Sequence, residues 1–507
     1  MVGYRPCRSF SICRPLSCRR IEMVLKSLVT PLLSMPRWAR IVLLCGLVPR
    51  VALALATKPI LWPDSLTYLA SASFMADENN YWLHEIYRTP IYPLFLSIFF
   101  HLFGHTPSAG LWVIHSQQAL GVASGFLLFL ILRRCFSERV ALVGSCLFLL
   151  SPLQLYYETV ILTEALFIFQ LFVFILLGLT ILEQVSKGMV SLRWFSLLGV
   201  IGGVLSLSRP IGQLLLIAFL AFYVARFTGR WRTARASALS LLVFFATIFP
   251  WMSVNHHHYG FWGISRDFGI NIFHRVLDVD KTPLPATSTD TFIRETYENA
   301  PRHLGPPYFT VYHGLIRHLK HQRVPKREVR LQVDKRMSAF ALEVLAAHPY
   351  DFIPNTFKNF FNLFVNPLRS IHFCQEDGGA PVLCTLQKGL VTRTFPITAA
   401  RSSRAAQWGI FRYFTLFSTL DPLIAATLLL GVYLVFSRGI SNQQLLITFV
   451  VLYFTGIAAL FNCPDDRFRL PVDGLIFGIV AFAGGCLARW VRNCWRSRRV
   501  VTSPGGF

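Results

Sequence analysis

The chain has 507 residues, 54% of them hydrophobic and only 15% charged, with a mean hydropathy of +0.50. That balance excludes an ordinary soluble globular protein, which carries more charge and fewer consecutive apolar runs. The formal charge of +24 could suit a nucleic-acid binder. In a chain with several runs near the roughly 20 residues that cross a bilayer, it reads instead as Arg and Lys retained in cytoplasmic loops, and no nucleic-acid partner is expected.

The first 38 residues hold Arg5, Arg8, Arg14, Arg19, Arg20, Lys26 and Arg37, a basic arm expected to stay inside. Span 1 is predicted near 39–57 and is interrupted by Pro49 and Arg50. Arg50 has two readings, an ionisable group in a functional site or one snorkelling to the interface. A polar outer loop follows, and 90–103 is apolar but short, as in a re-entrant or interfacial helix. Further spans are predicted near 110–132, 140–155, 160–182, 194–208, 211–225 and 236–254. The segment 255–405 has no convincing span, although EVRLQVDKRMSAFALEVLAAH has helical spacing and PYDFIPNTFKNFFNLFVNP suits the interface. The last spans fall near 411–436, 443–461 and 471–488.

The expected fold is therefore an all-α polytopic membrane protein with about ten spans and both termini cytoplasmic. Its organisation would be a basic arm (1–38), a transmembrane module (39–254) that includes the first outer loop (58–109), an outer segment (255–405), C-terminal transmembrane helices (406–490) and a basic tail (491–507). The eleven cysteines show no C-x-x-C metal spacing. Cys374 and Cys384 flank a short outer segment where a disulfide is chemically allowed, with Cys463 as a rival partner.

This topology gathers the unusual polar groups on the outer face. They are Asp64, Asp77, Glu78, His84, Glu85 and Arg88 in the first loop, Glu158 and Glu164 around span 4, Arg209 after span 5, Arg266 and Asp267 after span 7, and Asp465, Asp466, Arg467 and Arg469 before span 10. Arginine grips phosphate through its fork of donors and a carboxylate can act as a base, so the set suits a substrate with an anionic head and an apolar tail. Asp77, Glu78 and Glu85 read more simply as solvated loop charges. Glu164 suits a helix N-terminus as well as a site. Arg209 before Pro210 could merely cap a span. His256, His257 and His258 could hold a metal, but consecutive histidines do not share a helix face.

In order, PDSLTYLA, RTPIYPLFLSIFFHLFG, ILTEALF, LSRPIGQLL, PWMSVNHHHYGFWGISRDFGIN and DDRFRLPVDGL resemble the landmarks of the polytopic GT-C glycosyltransferases, in the branch of protein O-mannosyltransferases and lipid A aminoarabinose transferases. The resemblance covers about residues 39–275 and 440–490. It implies transfer of a sugar from a polyprenyl-phosphate carrier to a lipid, glycan or protein acceptor on the outer or lumenal side, in a bacterial inner membrane or the endoplasmic reticulum. Asp64 matches the family's catalytic acid and Arg88 a position that contacts the lipid phosphate, with Arg209 and Arg467 behind it. Tyr68, Glu164, Arg266 and Asp466 are further candidates for the site. Tyr87 stands where the aminoarabinose transferases carry an acidic metal ligand, which leaves a divalent-metal requirement open. The alternative from another class is a transporter or flippase of an anionic lipid-linked sugar. Such proteins usually show inverted repeats, and none is visible here.

Overall fold

The computed structural model describes residues 37–56, 59–77, 87–226, 230–285, 290–301, 306–365, 373–375, 381–383, 412–413, 421–437, 439–461 and 466–501. The chain enters through α1 (Arg37–Leu44) and α2 (Leu47–Ala56), so span 1 is two short helices broken at Cys45–Gly46. The polar α3 (Pro63–Asp77) and the apolar α4 (Ile91–Phe103) follow. Then come α5 (Pro107–Cys135), α6 (Glu138–Leu149), α7 (Pro152–Thr159), α8 (Glu164–Ser186), α9 (Leu192–Ser208), α10 (Gln213–Arg226) and α11 (Arg230–Tyr259).

Proline sets several boundaries. Pro107 and Pro152 open α5 and α7, where a missing N–H costs nothing. Arg209 is forced to extended backbone by Pro210 and ends α9. Where α9 crosses α11, a Cβ on Gly199 would stand 2.3 Å from the Ser240 carbonyl, so glycine permits the close approach.

The outer segment folds into α12 (Phe268–Phe273), a π-helical turn (His274–Val279), α13 (Thr291–Glu298), α14 (Pro307–His321), α15 (Lys326–Ala347) and α16 (Pro349–Val365). The stretches expected to be helical and interfacial are α15 and α16. Along α16, Tyr350, Ile353, Phe357 and Phe361 are exposed on one face. The chain departs from all-α at an antiparallel hairpin of β1 (Phe373–Gln375) and β2 (Pro381–Leu383). It ends in α17 (Asp421–Ser437), α18 (Asn442–Phe461) and α19 (Asp466–Val501).

Among the described residues five helices are long and apolar enough to span: Pro107–Cys135, Glu164–Ser186, Trp231–Tyr259, Asn442–Phe461 and Arg467–Asn493. The α6–α7 pair, bent by 47°, makes a sixth if counted as one broken span. The expected ten is not reached, because α4, α9, the stretch Pro210–Arg226 and the apolar part of α17 are apolar but shorter. The protein is nonetheless an integral, multi-pass membrane protein. One apolar core joins the helices from α1 to α11 with α16 to α19. A second is built by Ile272, Phe273, Ile293, Leu315, Val333 and Phe340 in the outer segment.

Arg50 does not snorkel to the interface. It is buried and donates to Gly46 O at 2.6 Å, Leu149 O at 3.0 Å and Glu158 Oε1 at 2.7 Å. Gln154 Nε2 donates to the same Glu158 oxygen at 2.9 Å. The pair needs space beside α5, since a Cβ on Gly121 would lie 1.8 Å from Glu158 Oε1. This buried pair ties α2 to the α6–α7 bend, although Arg50 Nε and Glu158 Oε2 have no hydrogen-bond partner among the described residues. Removing one partner leaves an uncompensated charge, so Glu158→Ala should cost about 3–5 kcal/mol. The apolar double change Arg50→Leu/Glu158→Leu should recover most of that loss, as read by the thermal midpoint of the purified protein.

Candidate active site

Two polar segments are sewn together at one end of the helices. Ile60 and Val160 form an isolated parallel bridge, with Ile60 N donating to Thr159 O at 3.0 Å and Ile161 N to Ile60 O at 3.1 Å. Trp62 Nε1 donates to the Tyr156 hydroxyl at 3.0 Å. Gln117 Nε2 donates to the carbonyls of Glu158 and Val160, while its Oε1 accepts from the Tyr92 hydroxyl at 2.7 Å. The Thr89 hydroxyl donates to Ser208 O at 2.9 Å and fastens the R-x-P-x-Y-P element to the end of α9. These ties bring the starts of α3 and α8 together with the end of α9, and Arg467 brings the start of α19 to the same place.

Five of the residues singled out from the sequence meet there. Arg88 donates from Nη2 to Asp64 Oδ1 at 2.6 Å, and Arg467 from Nη1 to Asp64 Oδ2 at 2.7 Å. Arg467 Nε also bonds Glu164 Oε1, to which Arg209 Nη1 donates at 3.0 Å. The result is one alternating chain, Arg88–Asp64–Arg467–Glu164–Arg209, of three guanidiniums and two carboxylates with a net charge of +1. Aromatic rings back each cation. Arg88 lies 4.7 Å from the Tyr68 ring centroid, Arg467 5.8 Å from Trp62 and Arg209 5.6 Å from Phe167. Tyr68 thus serves the site by supporting Arg88.

The electrostatics of Asp64 follow from this clamp. Burial alone would raise its carboxyl. The charges and hydrogen bonds of Arg88 and Arg467 outweigh burial and hold it well below the ordinary carboxylate range. Asp267 goes the other way, because burial raises it despite the nearby Arg88. Glu164 is fully buried, and its Oε2 and the neighbouring Thr163 hydroxyl have no hydrogen-bond partner among the described residues.

The other candidates stand apart from this chain. Arg266 pairs with Asp334 at 3.0 Å, and Asp334 also accepts from Gly269 N at 2.7 Å. Arg266 therefore braces α12 on α15. Arg469 pairs with Asp473 at 2.8 Å and donates to Leu363 O, joining α19 to α16. Asp466 opens α19, but its side chain lies outside the described residues, as do Glu78, His84, Glu85, Asp465, Cys384 and Cys463. Asp77 is exposed and meets His105 at 2.7 Å, a loop contact. The sequence reading missed Thr67, whose hydroxyl accepts from Arg88 Nε at 2.8 Å. Its signal was present, since Thr67 follows Asp64 by three positions on the same helical face. It also missed Asp334, which carried no local signal.

A divalent metal does not fit the described residues. Both Asp64 oxygens are engaged by arginine, and the Tyr87 hydroxyl donates to Arg330 O at 3.3 Å. No group of three or more His, Cys, Asp or Glu among the described residues is placed to hold an ion. No step below is routed through one.

A depressed carboxyl adds stability that is complete above its unfolded value of about 4 and is lost as pH falls through the lower folded value. The thermal midpoint of Asp64→Asn should therefore trail the wild type by a constant margin from about pH 5 to 8. That margin should close in more acid solution, as read by thermal unfolding across the pH series.

Residues 87–253 match the family model described as dolichyl-phosphate-mannose-protein mannosyltransferase. A comparison with curated proteins finds no match. Among solved structures, the archaeal oligosaccharyltransferase AglB from Archaeoglobus fulgidus, in complex with an inhibitory peptide and a dolichol-phosphate, aligns at 12% identity and a TM-score of 0.47. That alignment covers 93% of this chain and 52% of the other, so the chain spans about half the length of that protein. ArnT from Cupriavidus metallidurans, bound to undecaprenyl phosphate, aligns at 13% identity and a TM-score of 0.37, over 88% of this chain and 78% of that one. Likenesses at these scores carry no argument about activity. The stretch that matches the dolichyl-phosphate-mannose-protein mannosyltransferase model, residues 87–253, includes Arg88, Glu164 and Arg209 but neither Asp64 nor Arg467.

Proposed function

We propose that the protein is a glycosyltransferase that moves a sugar from a polyprenyl-phosphate carrier to an acceptor hydroxyl on the outer or lumenal side of the membrane, with inversion. The observation that carries this reading is the chain of three arginines and two carboxylates at the outer helix ends. Its surplus positive charge suits a phosphate whose lipid tail remains in the bilayer. Arg88, Arg467 and Arg209 hold the donor phosphate. Glu164 stays buried and orients Arg209 and Arg467 toward that phosphate. Both termini are cytoplasmic in this reading, and the outer segment 255–405 selects the acceptor.

The reaction is a single displacement. The acceptor oxygen bonds to the anomeric carbon as the bond from that carbon to the phosphate oxygen breaks, and the electron pair leaves with the phosphate. The hydroxyl proton passes to Asp64. The leaving phosphate needs no general acid, unlike the leaving group in glycoside hydrolysis by paired carboxylates. It needs charge stabilisation, which fixed guanidiniums supply. Clamped between two arginines, Asp64 is a weak base. A bound donor phosphate draws on the same guanidiniums and so restores its affinity for a proton when the acceptor attacks.

With labelled polyprenyl-phosphate sugar and membranes matched for protein level, Asp64→Asn should reduce transfer by roughly 10²–10⁴-fold. Arg88→Ala should lose about 10²-fold or more. Unimpaired transfer by Asp64→Asn would remove Asp64 from the mechanism. Substrate-dependent movement of lipid with no glycosidic product would favour the transporter reading.

A further inference from the structure

A second basic site lies outside the arginine chain, at the opposite end of α11 from Arg230, Arg232 and Arg235. Along α11 the exposed residues Leu242, Phe245 and Phe249 form one stripe at helical spacing, the face a span turns to lipid. Two tryptophans bracket that stripe. Trp231 is 67% exposed at one end, with Arg235 over its ring at 4.7 Å. Beyond the other end Trp262 is 56% exposed, stacked on His256 at 4.3 Å and on Phe249 at 5.9 Å. From Arg235 to His256 the helix rises roughly 30 Å, the thickness of the hydrocarbon core. Exposed tryptophans at both limits mark the two interfaces, so His256 and Trp262 stand at headgroup level.

A cavity of about 460 Å³ opens at that level. Its polar walls are His256, His257 and His258 from α11, with Arg327, Lys335 and Gln332 from α15. Glu328, the one acid in the lining, makes only a loose pair with Arg327 at 3.7 Å. Tyr259 and Leu331, also in the lining, pack with Phe261 against Tyr87, the chain neighbour of Arg88. An apolar wall therefore lies between this cavity and the arginine chain.

We infer that the cavity between the outer end of α11 and α15 binds the headgroup of an anionic phospholipid. Arg327 and Lys335 face its phosphate, the imidazoles add hydrogen-bonding groups, and the acyl chains run down the Leu242–Phe249 stripe. The volume suits one small headgroup. The inference does not depend on the glycosyltransferase reading.

The test uses the full-length protein in nanodiscs of phosphatidylcholine with a minor share of phosphatidylglycerol, with retained lipid counted by native mass spectrometry. Wild type should keep phosphatidylglycerol preferentially. Arg327→Glu/Lys335→Glu should lose that preference by roughly tenfold or more, at about fivefold for each basic residue. If charge reversal prevents monodisperse elution, Arg327→Gln/Lys335→Gln takes its place, with a smaller expected loss. Equal phosphatidylglycerol retention by wild type and a folded variant overturns the site. Displacement of the lipid by millimolar inorganic phosphate would show a phosphate site without lipid selectivity and would overturn the lipid assignment.

Discussion

Charge placed at the edge of a hydrocarbon phase must be paired, and the outer site is organised by that demand. Each carboxylate in the chain from Arg88 to Arg209 is held by two guanidiniums, and Arg467 is shared between both acids. Removal of any one member leaves its neighbours facing a low-dielectric wall of Trp62, Tyr68 and Phe167. The chain is therefore a cooperative unit. The loops around it are built to position it, through the Trp62–Tyr156, Thr89–Ser208 and Gln117 hydrogen bonds.

The same principle recurs with a different outcome in two other buried pairs. Arg50 and Glu158 are sealed among α2, α5 and the α6–α7 bend, and their pairing joins those helices. Arg275 is likewise buried, paired with Asp280 and bonded to Ala459 O at 3.2 Å, which joins the outer segment to α18. What separates these pairs from the site is stoichiometry and exposure. Each is a neutral, fully buried pair, whereas the chain at the site has a surplus cation, and Asp64 is one-third exposed.

Much of this was legible in the sequence because bilayers impose coarse rules. Long apolar runs with arginine at their ends identified the spanning helices, and the gathering of Asp64, Arg88, Glu164, Arg209 and Arg467 on one face followed from topology alone. The pairing did not, since Arg467 meets Asp64 across most of the chain's length and nothing local records that contact. The partner of Arg50 was hidden for the same reason, since Glu158 lies 108 positions away. Span length was the other weakness. Apolar composition shows that a helix is buried or lipid-facing, but the short α4 and α9 are no longer than many buried core helices.

The parallel bridge between Ile60 and Val160 acts as a common origin from which two equal lengths of chain are measured. Asp64 lies four residues beyond Ile60, and Glu164 four residues beyond Val160. The two carboxylates thus emerge side by side, at the spacing one guanidinium can span. One residue inserted in either arm would turn one acid by about 100° around its helix and leave Arg467 with a single partner.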